Sequence, residues 1–369
     1  MKQFQLLIKP ASFDCNLYCR YCFYLRVCKE YPKIKHPRMS EDVLETMISK
    51  FLSFRFKESI FGWQGGEPTL MGLKFFEKVV ELQQKYGETG QVIGNALQTN
   101  GILLDENWAK FLSKYKFLVG ISLDGPKEMH DKYRRSKKHE SVWSKVMQAT
   151  EVLKQHQVNF NILCVLSKAN INRVQKLYNF FLAHDFHHVQ FIPTLELNRE
   201  GKIANFCVSP RQYGKFLTDL FDLWIKNPQE MHIRIFNSIL SQILDYPRGY
   251  CALNKKCGEY MVIEWNGDVY PCDFFVNQEY KLGNFKENTF SGLKQRRNEQ
   301  FMDLKGNLPK ECSDCKWLKF CHGGCVKDRK TSNMKEKSKT YFCEGYKLFF
   351  ENTYRKFLNY AKFLKNQGM

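Results

Sequence analysis

A chain of 369 residues with 43% hydrophobic content can bury one large core, or one large and one small. Its net charge of +19 comes from basic residues spread over the whole length, the densest group being the short run Arg134 to Lys138, so the excess reads as a solvated surface and not a nucleic-acid-binding stripe. No stretch has the length and apolarity of a membrane span, MKQFQLLIKP lacks a signal-peptide pattern, and fourteen cysteines in a chain read as cytoplasmic point to metal rather than disulfides.

Residues 3–9 form an apolar run suited to a buried strand. SEDVLETMISKFL then spaces Val43, Leu44, Met47, Ile48, Phe51 and Leu52 at helical intervals, with Ser40 as N-cap and acids in the first turn. A strand is expected at 59–63, a helix at 73–86, a strand at 92–97, a helix at 105–115 and a strand at 117–123. A helix near 141–156, a strand at 159–166, a helix near 171–184 and a strand at 188–193 follow. Six strands in strict alternation with helices predict parallel strands joined by right-handed crossovers. Cys15–Cys22, Gly65–Pro68, Gln98–Gly101 and Ser122–Pro126 each follow a strand, at the carboxyl ends where barrel enzymes build their sites. The expected class is therefore α/β, a partial six-unit barrel.

The pattern changes after about residue 235, which suggests a barrel over 1–235 and a cysteine-rich region over 236–369. In the latter, YMVIEW and DVYPC flank Asn266-Gly267, a two-residue hairpin signal. A closing helix near 344–365 carries Tyr346, Phe349, Phe350, Phe357 and Leu364 as a packing stripe.

Cys15, Cys19 and Cys22 are spaced C-x3-C-x2-C, and Tyr24 follows. Zinc and most structural clusters take four ligands. Three thiolates would hold three irons of a [4Fe–4S] cluster and leave the fourth free for a small molecule; His36 is the only nearby histidine that could complete a zinc site instead. Cys251, Cys257 and Cys272 precede Cys312, Cys315, Cys321 and Cys325, and Cys343 stands last. Eight ligands suffice for two fully ligated [4Fe–4S] clusters or for two four-cysteine zinc sites, and local spacing does not separate these. Cys28, Cys164 and Cys207 fall outside both patterns and read as free buried cysteines.

C-x3-C-x2-C followed by an aromatic resembles the signature of radical S-adenosylmethionine (SAM) enzymes. Gly65-Gly66-Glu67-Pro68 resembles the second signature of that superfamily, where backbone groups on a glycine-rich strand end accept the SAM amino group and a side chain would obstruct it. The block C-x2-C-x5-C-x3-C with a distant cysteine resembles the SPASM extension of peptide-modifying members. QGGEPTLMGLKFFEKVVELQ, LQTNGILLDENWAKFL, FLVGISLDGPKEMHD and GDVYPCDFF resemble anaerobic sulfatase-maturating enzymes. The similarity runs from Lys9 to about Tyr346 and is weakest around 196–208.

That resemblance implies a partial (β/α)6 TIM-type barrel followed by a SPASM domain with a β-hairpin and a terminal helix. It implies SAM and three [4Fe–4S] clusters as cofactors. The activity implied is oxidation of a cysteine or serine of a client sulfatase to Cα-formylglycine, through hydrogen abstraction by a 5′-deoxyadenosyl radical. Cys15, Cys19 and Cys22 would hold the SAM-binding cluster. Cys251, Cys257, Cys272 and Cys325 would hold one auxiliary cluster, and Cys312, Cys315, Cys321 and Cys343 the other. Tyr24 would face the adenine side of SAM, and Gln64 and Gly66 would lie at the second strand end, Gly66 toward the methionyl amino group. Ser122 would bond the ribose or carboxylate, Arg134 would complement the carboxylate, and Leu195 would pack on the adenine. Asp273 matches the general base. The implied partners are a sulfatase polypeptide carrying C/S-x-P-x-R and a low-potential donor of flavodoxin or ferredoxin type. Neither nucleic acid nor a membrane is implied, and the chain is expected to be a cytoplasmic monomer. Two alternatives are another SPASM enzyme, such as a thioether-forming peptide maturase, and a zinc-containing nucleic-acid-binding protein. The second leaves Gly65-Gly66-Glu67 unexplained.

Overall fold

Strands and helices appear in the expected alternation. The computed structural model describes residues 2–247, 249–330 and 338–368. The six expected strands are β1 (Gln5–Lys9), β2 (Glu58–Trp63), β3 (Val92–Thr99), β4 (Leu118–Ser122), β5 (Phe160–Leu166) and β6 (His188–Pro193). A two-residue strand, β7 (His232–Ile233), was not expected; β8 (Tyr260–Glu264) and β9 (Asp268–Tyr270) form the hairpin, and β10 (Gly283–Asn284) follows. The first helix, Glu41–Leu52, starts where Ser40 Oγ accepts the Val43 amide at 3.3 Å, satisfying one of the orphan donors of its first turn. Asp105 caps the helix Glu106–Lys114 in the same way, accepting from the Trp108 amide at 2.9 Å.

The chain divides into two compact units. The first comprises residues 1–122, 133–161 and 259–301. Its strands lie in the order β10-β9-β8-β1-β2-β3-β4. β8, β1, β2, β3 and β4 are parallel to their neighbours in that series, whereas β9 and β10 are antiparallel to theirs. Alternate residues of these strands, Leu6, Ile8, Phe61, Trp63, Leu97, Val119 and Ile121, are buried. The hairpin turns at Gly267, whose φ of +91° is the left-handed conformation that favours glycine. Its first strand docks beside β1 in the register Gln5↔Tyr260 to Lys9↔Glu264. The hairpin therefore extends the N-terminal sheet, and the compact units do not part at residue 235. The division into 1–235 and 236–369 stands as a proposal about two modules of the chain.

The second unit comprises 123–132, 162–258 and 302–369. β5, β6 and β7 are parallel neighbours in it. The helix Pro210–Trp224 begins with proline in its first turn and a capping box between Ser209 and Gln212. It packs against the closing helix Cys343–Asn366, within one residue at each end of the expected 344–365, through ring pairs such as Phe221–Phe357, 4.4 Å between centroids. At one point the two backbones touch: a Cβ at Gly214 would stand 2.6 Å from the Gly345 carbonyl oxygen, and one at Gly345 would stand 2.3 Å from that of Pro210. No flexible side chain is available there to yield. Gly214→Ala is therefore expected to destabilise the protein by about 1–3 kcal/mol, the usual range for overpacking. The urea midpoint measures it, and an unchanged midpoint would show that the two helices separate freely.

Candidate functional site

The loop after β1 turns back on itself through Ser12 N–H to Lys9 O (3.0 Å) and Asp14 N–H to Ala11 O (2.9 Å). Asp14 is buried and accepts from His36 Nδ1 and Arg38 Nη2, both at 3.0 Å, with Lys137 Nζ 3.6 Å away. Burial would raise its carboxyl, but the His36 and Arg38 hydrogen bonds and the Arg38 and Lys137 charges bring it below its ordinary value. His36, the candidate fourth ligand of a zinc site, is thus engaged by Asp14. The three expected cluster ligands follow. Leu17 N–H points at Cys15 Sγ (3.3 Å), and Asn100 Nδ2 stands 3.7 Å from the same sulfur. Arg134 Nη1 stands 3.7 Å from Cys19 Sγ and its guanidinium lies 5.5 Å over the Tyr21 ring. Tyr18 N–H and Arg20 N–H donate to Arg135 O and Tyr133 O, pinning this loop to the segment that carries Arg134. Burial, Glu67, Cys19 and Cys22 all push the Cys15 thiol up, so anionic sulfurs here need a cation among them.

The end of β2 clamps that loop. Gly66 N–H donates to Ser12 O at 2.5 Å and Glu67 N–H to Asp14 O at 2.8 Å. A Cβ on Gly66 would stand 2.1 Å from the Asp14 carbonyl oxygen. Glycine is required here by the chain's own backbone, an obstacle the sequence reading assigned to SAM alone. Glu67 escaped that reading except as part of the motif. Its carboxylate is 1% exposed. Oε1 accepts from the Thr69 amide (3.0 Å), Thr69 Oγ1 (2.6 Å) and Thr99 Oγ1 (2.7 Å), while Oε2 accepts from the Asn100 amide (2.8 Å). Burial raises its pKa and these hydrogen bonds resist the rise. Asn100 Nδ2 reaches Asn16 Oδ1 at 2.7 Å, so the loops after β1, β2 and β3 form one hydrogen-bonded body.

Beside this clamp lies a buried charged cluster that local sequence patterning did not reveal. Lys9 Nζ donates to Gln64 Oε1 at 2.8 Å and sits 4.8 Å over the Tyr24 ring. Gln64 Nε2 donates to Gln98 Oε1 at 2.7 Å. Tyr24 is buried and its hydroxyl donates to Glu264 Oε1. Burial lifts the Glu264 carboxyl to about 7, held back by the Ser12 and Tyr24 hydroxyls and by Lys9. Burial likewise pulls the Lys9 ammonium down, opposed by Asp273, Glu264, Cys272 and Cys22. Asp273 is half-buried, with Oδ1 3.4 Å from the Tyr260 hydroxyl and 3.5 Å from Cys272 Sγ. Ser122, at the end of β4, is buried at 9% exposure.

In the second unit, Leu195 is fully buried and its carbonyl accepts from Lys327 Nζ. Asp124, from the turn after β4, also belongs here, its Oδ1 accepting the Val165 amide at 2.9 Å. Cys312, Cys315, Cys321 and Cys343 line one cavity with Trp317, Gly323 and Tyr346. They are the four sulfurs assigned to one auxiliary cluster. Cys251, Cys257 and Cys325 act together on the Lys305 ammonium; Cys272, their expected fourth partner, belongs to the first unit. Among the described residues, no three His, Cys, Asp or Glu side chains form a group able to hold a single metal ion. Four thiols lining a cavity suit a [4Fe–4S] cluster, which takes four cysteine ligands. Cys164 and Cys207 are buried as expected, but Cys28 is exposed, because its short 3-10 helix, Phe23–Lys29, turns Tyr24 and Val27 inward instead.

A model of the radical SAM superfamily matches residues 10–181, and a model of an iron–sulfur cluster-binding domain, SPASM, matches 251–316. The chain is 41% identical over 370 residues to a cysteine-type anaerobic sulfatase-maturating enzyme of Clostridium perfringens, covering 99% of this chain and 100% of that one. It is 36% identical over 388 residues to a serine-type anaerobic sulfatase-maturating enzyme of Bacteroides thetaiotaomicron, covering 100% and 92%. The solved structure of native anSMEcpe with bound AdoMet and Cp18Cys peptide superposes with a TM-score of 0.90 at 40% identity, covering 98% of this chain and 99% of that one. The fold is thus the α/β radical SAM partial barrel with a SPASM domain, and the protein is a radical SAM enzyme that uses SAM and three [4Fe–4S] clusters. The chain belongs to the family of anaerobic sulfatase-maturating enzymes. That membership leaves no place for a zinc-containing nucleic-acid-binding protein.

The Gly66 contact gives a direct test of how the first cluster is held. Gly66→Ala should displace the Asp14–Cys15 backbone and lower iron from about twelve per chain to about eight, the content of two four-iron clusters. Iron analysis after anaerobic reconstitution reads this, and a full complement would show that the loop yields without losing its cluster.

Proposed function

We infer that this enzyme oxidises a cysteine of a sulfatase polypeptide to Cα-formylglycine. One observation carries the reading: β8 pairs with β1 in the register Lys9↔Glu264, so the hairpin that leads to Cys272 and Asp273, with Asp273 Oδ1 3.5 Å from Cys272 Sγ, starts beside the strand that launches the loop of Cys15, Cys19 and Cys22. An expected auxiliary ligand and the candidate base are thereby tied to the loop of the expected SAM-binding cluster. When bound, the first cluster and SAM supply the 5′-deoxyadenosyl radical that removes a hydrogen from the β-carbon of the target residue. Cys15, Cys19 and Cys22 would hold that cluster. Gly66 presents bare backbone toward the SAM amino group. Arg134, held beside Cys19, would offer a cationic fork to the SAM carboxylate and Ser122 a hydroxyl, and the positions of Tyr24 and Leu195 are those expected on the adenine side. Gln64 is fixed in one amide orientation by Lys9 and Gln98. Asp273 accepts the proton from the target thiol, with Tyr260 orienting its Oδ1. Cys251, Cys257, Cys272 and Cys325 would hold one auxiliary cluster and Cys312, Cys315, Cys321 and Cys343 the other, and these clusters would take up the second electron; hydrolysis of the thioaldehyde so formed releases the sulfur as sulfide and leaves the aldehyde.

A thiol target is favoured over a hydroxyl because the cysteine-type relative shares more of its sequence with this chain than the serine-type one. The client segment is C-x-P-x-R. The reading extends to a flavodoxin- or ferredoxin-type donor and to a cytoplasmic monomer; no helix among the described residues is long and apolar enough to cross a membrane. A short peptide carrying C-x-P-x-R, incubated with SAM and a reductant, should gain the aldehyde mass, and its serine counterpart should react more slowly. SAM cleavage without any aldehyde would favour a different peptide modification, such as thioether formation.

Asp273→Asn keeps the size of the side chain and removes its ability to take a proton. It should release 5′-deoxyadenosine while formylglycine falls by about 10²–10⁴, the usual cost of losing a general base. Both products are read by mass spectrometry in one reaction. Formylglycine that still tracks 5′-deoxyadenosine would remove Asp273 from the role.

A further inference from the structure

The helix Phe290–Gln300 turns one face inward through Phe290, Leu293, Lys294 and Arg297, the spacing of a buried stripe. Half of that stripe is cationic. Phe290 anchors the helix in the core of the first unit, its ring 6.1 Å from that of Phe4 and 6.3 Å from that of Phe51. The cations reach past the core to backbone. Lys294 Nζ donates to Lys2 O at 2.7 Å, where the chain enters β1. Arg297 Nε donates to Pro271 O at 3.2 Å, where the chain leaves β9. Arg297 is 1% exposed and Pro271 is buried. Burying a cation is costly, whereas an apolar residue would complete the stripe without that cost. What the guanidinium adds is a donor that fixes the direction of a carbonyl.

Asp273 stands two residues beyond that carbonyl. The Pro271 carbonyl and the Cys272 amide share one peptide plane. Holding the oxygen therefore sets the plane from which the backbone runs through Cys272 into the 3-10 turn Asp273–Phe275. The far end of this turn meets the same helix. Phe275 packs its ring against Phe301, 5.1 Å between centroids, and against Tyr280 at 4.9 Å. Phe301 follows Arg297 by about one helical turn. Its amide donates to the Arg297 carbonyl at 3.0 Å, and the guanidinium lies 6.0 Å over its ring. Arg297 and Phe301 thus hold the backbone on both sides of Asp273. Between them, Phe274 packs on Phe23 at 4.7 Å and its carbonyl accepts from Arg26, so the turn keeps other anchors when one grip is loosened.

We propose that Arg297 and Phe301 are positioning residues for Asp273, which together set the reach of its carboxylate toward the target residue and leave SAM cleavage to the loops around Cys15, Cys19 and Cys22. The proposal rests on the reading of Asp273 as the base. A proton acceptor works only within hydrogen-bond reach of the proton it takes, and a misplacement of about 1 Å costs about 10² in rate. The Tyr260 hydroxyl, 3.4 Å from Oδ1, orients the carboxylate. The two grips of the helix decide where the backbone that carries it stands.

The test compares the reconstituted holoenzyme with its variants on the C-x-P-x-R peptide, with SAM and dithionite. Iron is counted first, and formylglycine and 5′-deoxyadenosine are read together by mass spectrometry. Arg297→Met should keep about twelve irons and SAM cleavage, while the ratio of formylglycine to 5′-deoxyadenosine falls at least tenfold. Added to Asp273→Asn, the same change should lower the ratio no further, because residues that act through one group are not additive. A parent-like ratio in Arg297→Met at full iron would overturn the proposal. So would a further tenfold fall in the double variant, which would show that Arg297 acts on something other than Asp273. If Arg297→Met loses iron, Phe301→Leu decides: it stays apolar but loses the ring face against Phe275, and a lowered ratio at full iron supports the proposal while a parent-like one overturns it. Loss of iron in both assigns the helix to holding the Cys272 segment for its cluster and overturns the proposal. Failure of the underlying reading is visible separately. A parent that cleaves SAM without forming formylglycine, or Asp273→Asn with a parent-like ratio, removes that reading and the proposal with it, whereas uncoupling in Asp273→Asn alone removes only the proposal.

Discussion

Glu67 is the constraint on which the catalytic end of the first unit depends. A carboxylate at 1% exposure is tolerated only because four donors converge on it, from Thr69, Thr99 and Asn100. Those donors belong to the short 3-10 helix after β2 (Thr69) and to the end of β3 and the residue after it (Thr99, Asn100), and the Glu67 amide reaches the loop after β1. Three neighbouring segments are thereby fixed to one buried anion. The glycine beside it permits this, since Gly66 lets the end of β2 touch the Asp14 carbonyl where any side chain would intrude. Closing the clamp sets the backbone of Cys15, and the neighbouring Asn100 amide lies within reach of its sulfur. The geometry of the cluster loop is therefore decided outside the cysteine motif itself.

Buried charge recurs in both units. Most of the basic excess is solvated surface, but Lys9, Lys305 and Arg329 lie in the interior. An interior cation is a liability in a protein that folds only around hydrocarbon, and it is tolerated where hydrogen bonds and opposite charge meet it. Lys9 has Glu264 as a direct strand neighbour, with a carboxyl that burial lifts to about 7. This pair holds Gln64 on one side and Tyr24 on the other, so two residues expected at the cofactor are oriented by groups with no signature in the sequence.

What was legible in the sequence divides along the range of the interactions involved. The six strands and most helices of residues 5–193 could be read because periodicity and caps such as Ser40 are local. The cofactor class could be read because thiolate chemistry is written in short spacings and the signatures repeat across a family. The helix Pro210–Trp224 lies outside the expected elements although Ser209, Pro210 and Gln212 spell a capping box, a signal as local as the Ser40 cap. Glu67, Lys9 and Glu264 are different. Nothing local marks a glutamate as a hub or a lysine at a strand end as buried. That follows only once β8 pairs with β1 across about 250 residues of chain, a contact whose partners are far apart in sequence. Cys28 failed for the converse reason, since the default burial of cysteine yields when a short helix turns larger apolar residues inward.

The central position of β1 explains how such distant residues come to lie beside one strand end. Its end carries Lys9, and the cluster loop begins at the next residue. One neighbour, β2, delivers Gln64, Gly66 and Glu67 to that end. The other, β8, delivers Glu264 beside Lys9, and through the hairpin at Gly267 its partner strand β9 leads back to Cys272 and Asp273. A hairpin in an independent module could drift relative to the first cluster as that module moved. Here β8 is hydrogen-bonded in parallel register to the strand that launches the cluster loop, so the candidate base is tied to that loop by sheet hydrogen bonds. A proton acceptor must be held near its working distance, and extending the sheet by one hairpin fixes where the segment that carries Asp273 begins.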